Sequence, residues 1–133
     1  MRPTHGQVRQ IAIALEEFLQ NKVCGTFPRG EANRFIQRFG AEGGLFIAEM
    51  EMFHSTIAGY CSSGSKWLQA DEQRMSDCRI AVEKPFFEQH SKYRQFESQL
   101  AAFPDLAEVM GLYEAARKRL KSLMATIEQL RKQ

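Results

Sequence analysis

A glutamate and a histidine three residues apart on a helix can share a metal ion, and the chain holds one such pair, Glu51-Met-Phe-His54. Helical bundles that bind two irons use this spacing because both side chains project from one face toward a common centre. Such a site needs a second copy and two further glutamates, and no Glu stands three residues before His5 or His90. The neighbouring apolar residues Phe46, Met50, Phe53, Ile57 and Tyr60 fix the core direction of the helix. At about 100° per residue, His54 falls at the edge of that face and Glu51 toward solvent. The expectation is therefore a boundary histidine, with no metal and no cofactor.

Two further arrangements bear on nucleic acid. Residues 30–39, a turn at Gly40 and a helix from about residue 44 have helix-turn-helix proportions. The second helix would have to approach phosphates, yet it offers Glu42, Glu49 and Glu51 and no cation between Ala41 and Lys66. The other is a basic cluster near the C-terminus, Arg117, Lys118, Arg119 and Lys121, with Arg131 and Lys132 beyond it. Asp105, Glu108 and Glu114 precede these cations on the same helix, which is the order its dipole favours. A solvated face explains the cluster, and a phosphate-binding patch is the rival reading. A net charge of +2 supplies no global field for nucleic acid, so nucleic acid is not the expected partner.

Asp71 falls among Trp67, Leu68 and Met75 on an apolar face, a candidate buried polar group. An isolated buried carboxylate is costly, so it should be paired with Arg34, Arg38, His54 or Tyr60, or lie at a wet edge. The aromatic load is high, with ten Phe. Phe27, Phe35, Phe39, Phe46, Phe53, Phe86, Phe87, Phe96, Phe103 and Trp67 either fill a bundle core or line an apolar ligand pocket. Three cysteines, Cys24, Cys61 and Cys78, lack Cys-x-x-Cys spacing and form an odd set, which reads as reduced thiols in a cytoplasmic protein. No segment has the length and hydropathy of a membrane span, and the first residues have no signal-peptide pattern.

The elements that must hold these residues are all helical. Thr4 and Gln7 form a capping box for a first helix, with Val8, Ile11, Leu15, Phe18 and Leu19 on its apolar stripe, ending near Val23. A short second helix covers 30–39 and a third about 44–61. A fourth starts at an N-cap, Ser65, and runs to Lys84, where Pro85 must break it. A fifth carries Phe86, Tyr93, Phe96, Leu100 and Phe103.

The last helix, 105–133, opens on a capping-box-like Asp105 and Glu108 and is the most regular stretch. Leu106, Tyr113, Leu120 and Ile127 share one heptad position, and Val109, Ala116, Leu123 and Leu130 the other. Its length is about 40 Å, roughly 10–15 Å more than the helices beside it.

The fold expected is all-α, a single domain over 1–133 made of a five- or six-helix bundle with a long, heptad-patterned C-terminal helix. If nothing covers the overshoot, Ala116, Leu120, Leu123, Ile127 and Leu130 form an interaction surface for a second copy or a helical partner. If the N-terminal or second helix folds back, it is core. The function expected is a non-enzymatic, self-associating interaction or adaptor module. The alternatives are a small nucleic-acid-associated regulator and a bundle that binds an apolar small ligand.

Overall fold

The computed structural model describes residues 4–18, 27–62 and 64–132. No strand occurs among the described residues. Five α-helices follow in order: α1 His5–Phe18, α2 Arg29–Cys61, α3 Glu72–Val82, α4 Phe86–Gln89 and α5 Pro104–Arg131. Three 3-10 segments lie between them among the described residues: η1 Gly64–Gln69, η2 Ser91–Phe96 and η3 Ser98–Ala102. The fold is all-α, as expected. The first helix's end near Val23, Cys24 and the side chains of Phe18, Leu19 and Ser65 lie outside the described residues.

α1 begins with the capping box that its sequence announces. The Thr4 hydroxyl accepts the Gln7 N–H at 3.2 Å, and the Gln7 side chain accepts the Thr4 N–H at 2.9 Å. Val8, Ala12 and Leu15 form its buried face, while Ile11 is turned outward. The inward stripe therefore runs through the small Ala12, not through the larger isoleucine.

α2 is two arms. Gly40 interrupts it with φ 69° and ψ −145°, a conformation that glycine adopts without steric cost. The arms 29–39 and 41–61 fold back on one another, so that Arg29 grips Glu51 with two hydrogen bonds of 2.5 and 2.6 Å. The hinge is tight. A Cβ placed on Gly43 would lie 2.9 Å from the Cβ of Phe39.

The span read as one fourth helix is divided. η1 ends at Gln69, and Asp71 starts α3 by accepting the Arg74 N–H at 2.8 Å. The span read as a fifth helix is α4 followed by η2 and η3. Its stripe nevertheless points inward, because Phe86, Tyr93, Phe96, Leu100 and Phe103 are all buried.

α5 begins without a local cap. Phe103 offers no side-chain oxygen, and Pro104 occupies the first turn. The cap comes from across the fold: Glu31, 6% exposed, accepts the N–H groups of Asp105 at 2.9 Å and Leu106 at 3.0 Å. This replaces the expected Asp105/Glu108 box, since a pre-positioned carboxylate satisfies two orphan donors at once.

α3 runs antiparallel to α5. Arg131 meets Glu72, Arg79 meets Glu128, and Arg117 meets the Val82 carbonyl. η1 thus sits beside the end of α5, and α1 packs against both η1 and α5.

The core is graded along the molecule. Phe35, Phe39, Phe46, Phe96 and Phe103 pack ring against ring around the hinge, with centroids 4.6–6.5 Å apart. The opposite end is mainly aliphatic, with Ile57, Leu120, Leu123 and Ile127 fully buried.

Candidate functional site

Both members of the Glu51-x-x-His54 pair have other work. Glu51 is held by Arg29, and the Nδ1 of His54 lies 2.9 Å from the Tyr113 hydroxyl. Burial lowers the His54 pKa, with Glu51 opposing it in part, so the ring is neutral near pH 7 and shares one hydrogen bond with the Tyr113 hydroxyl. Burial likewise raises the Tyr113 pKa, and Phe27 meets His54 edge-on at 6.3 Å. The spacing that suggests metal chemistry here joins α2 to α5. Among the described residues no group of three His, Cys, Asp or Glu side chains is placed to hold a metal ion.

Three expectations about surface groups need correction. Ala116, Leu120, Leu123 and Ile127 have no exposed surface within one chain, and Leu130 is half-buried. α1, α2 and α3 pack against α5, so this seam is core and not a free interaction surface.

The basic patch disperses as well. Arg117 is 5% exposed, doubly bonded to Glu114 and donating at 2.8 Å to the Val82 carbonyl. Lys121 donates to the Glu83 carbonyl at 3.3 Å, while Lys118 and Arg119 remain on the outside. With Gln89 bonded to the carbonyls of Ala81 and Lys84, four successive carbonyls at the end of α3 are satisfied by side chains.

Asp71, read as a candidate buried polar group, is exposed. Its carboxylate prefers the N-cap role, which ends the preceding turn and removes it from any apolar face. Cys61 and Cys78 are buried and form no disulfide, and burial pushes the Cys78 thiol up to about 12, leaving it unreactive at neutral pH.

Two features that the sequence does not announce remain open. The first is a cleft of about 540 Å³ between α5 and the segment running from Pro85 to Ala101. Phe86, Phe87, Tyr113, Leu100 and Met110 supply its apolar wall. Glu88, Glu97 and Arg94 stand at its edge, with Glu114 already tied to Arg117. Gly111 also lines it, and a Cβ there would meet no atom within 4 Å. A glycine inside a helix costs about 0.5–1 kcal/mol relative to alanine, and neither packing nor backbone angle requires one at this position.

The second is the outer face of α2. Leu45 and Met52 are 59% and 65% exposed, and a shallow depression runs over Ala48, Met52, Ser55 and Thr56.

A model of the YxiJ-like protein family matches residues 14–121. The chain belongs to the YxiJ-like family. No curated protein and no solved structure matches it. The YxiJ-like match contains the cleft and the whole of α2, and it leaves out the first turns of α1 and the last turns of α5.

For this YxiJ-like chain, sequence reasoning missed Glu31, Gly111, Leu45 and Met52. Gly111 and the two exposed apolar residues had a usable signal. A glycine inside a strong helical period, and large apolar residues opposite a core stripe, both break the local rule. Glu31 had none, because its partners lie over 70 residues away.

Proposed function

We propose that the chain is a non-catalytic helical module that binds another protein along the outer face of α2. The observation that carries this reading is the exposure of Leu45 and Met52, seven residues apart on one face. At about 100° per residue, Ala41, Leu45, Ala48, Met52 and Thr56 form a strip pointing away from the buried Met50 and Ile57. The face of a helix opposite its core ordinarily carries charge, and this strip carries none. Apolar residues gathered on a surface and edged by polar groups mark contact sites.

One edge is acidic. Glu42 accepts from Gln95 and Glu49 lies 3.8 Å from His90, while Glu51 on the other edge is neutralised by Arg29. A second copy would set these carboxylates against their own kind. A helical partner with cations beside its apolar stripe is therefore favoured over self-association.

The test combines light scattering on the purified protein with capture from extracts of its native cells, using wild type and Leu45→Glu/Met52→Glu. A stoichiometric partner lost from the double variant supports the reading, and a dimer lost from it makes the partner a second copy. A wild type that is monomeric at high micromolar concentration, captures nothing, and behaves as the variant does overturns it.

A further inference from the structure

We infer that the cleft between α5 and the Pro85–Ala101 segment binds an organic cation with an apolar body, such as an amine carried on a ring system. The inference does not depend on the outer face of α2. Three observations converge on it.

The volume, about 540 Å³, lies in the range of small-ligand sites and far above that of a packing defect. The wall is apolar, with Phe87 and Met110 partly exposed in it and Phe86, Tyr113 and Leu100 buried behind them. Ring faces carry negative quadrupole charge and attract cations.

The edge has the same preference. Glu88 and Glu97 are exposed carboxylates without an ion-pair partner among the described residues, against the guanidinium of Arg94. Glu114 adds no net charge, because Arg117 neutralises it. A cation at the mouth therefore gains from two carboxylates and the Phe87 ring, whereas an anion has only Arg94.

Gly111, exposed on α5, also borders the cleft. Its missing side chain leaves open space against the α5 backbone. A bound ring lying over that backbone gives the glycine a purpose that intrachain packing does not.

Tryptamine and indole-3-propionate, which share an indole body and differ in the sign of the side-chain charge, are suitable probes. Each is titrated into the 15N-labelled full chain while amide resonances are followed. Tryptamine should shift the amides of residues 86–88, 97–101 and 107–114 saturably, and indole-3-propionate should bind at least about tenfold more weakly.

Gly111→Leu fills that open space and should abolish the saturable shifts. Ala101→Leu, which narrows the opposite wall, serves as the second blocking variant if Gly111→Leu fails to fold. Glu88→Gln/Glu97→Gln should weaken tryptamine severalfold and narrow the gap between the two probes. Absence of saturable shifts with tryptamine overturns the proposal. Equal binding of the two probes, or a folded blocking variant that binds as wild type does, overturns it as well.

Discussion

The two halves of α5 carry the same heptad pattern and meet different fates. In the second half, Ala116, Leu120, Leu123 and Ile127 are fully buried, and α1 and α3 pack against the helix. In the first half, Leu106 and Tyr113 are buried, but Val109 and Met110 are only half-covered and Gly111 borders a cleft. A heptad seam thus reports that a helix face will be covered, without naming what covers it. The end that overshoots its neighbours in sequence is the end closed by α1, more than 90 residues away along the chain.

The opposite half stays open because of the local structure facing it. From Pro85 to Phe103 the chain makes one four-residue helix and two 3-10 segments. Such short turns present no continuous ridge to lie flush along a long helix.

The contrast can be broken most forcefully by truncating one side chain in each half. Leu123→Ala, at a site with no exposed surface, should cost about 2–5 kcal/mol, whereas Met110→Ala at the cleft should cost about 1 kcal/mol or less. Equal losses in denaturant unfolding would mean that the two halves are covered alike.

The start of α5 comes next. Glu31→Ala leaves the N–H groups of Asp105 and Leu106 without their acceptor, and should cost about 1–3 kcal/mol. Glu31→Gln, which keeps an acceptor oxygen, should recover part of that loss. An unfolding midpoint unmoved by Glu31→Ala would remove this residue from the account of how α5 begins.

A smaller effect is expected at the other end of the antiparallel pair. Asp71→Ala should cost about 1 kcal/mol as a lost N-cap, with Asp71→Asn nearly neutral. A loss several times larger would return Asp71 to a buried, paired role.

The smallest effect lies at the junction of the two halves, where His54 meets Tyr113. Burial lowers the His54 pKa in the folded chain, so the unfolded chain takes up the proton first, near its ordinary value of about 6.5. The contribution of this group to stability is therefore flat above that pH and declines as the pH falls below it. His54→Gln should flatten that part of the pH profile of Tm, and an unchanged profile would count against a neutral, partly buried ring.

The elements were legible where local rules acted alone. Thr4 and Gln7 capped α1, Gly40 divided the two arms of α2, and the spacing from Leu106 to Ile127 traced α5. Phe86, Tyr93, Phe96, Leu100 and Phe103 were correctly read as buried, although not as one helix. Their spacing of three, four and seven suits successive tight turns as well as a continuous stripe.

What was illegible depended on distance. Glu31 caps a helix 74 residues away, and Arg117 leaves its own helix's basic run to reach the Val82 carbonyl. Asp71 departs from its sequence expectation for a different reason: its neighbours are apolar, but aspartate's preference for an N-cap decides where it sits.

Hydrogen exchange along α5 tests most directly whether its second half is closed by the chain's own first helix. The wild type should protect amides 120–130 to the same extent at low and high protein concentration. Leu15→Asp, which loosens α1 by burying a charge, should lower protection there more than at 106–113. Protection of 120–130 that rises with protein concentration and ignores Leu15→Asp would contradict the account, because it would make the seam a contact between chains.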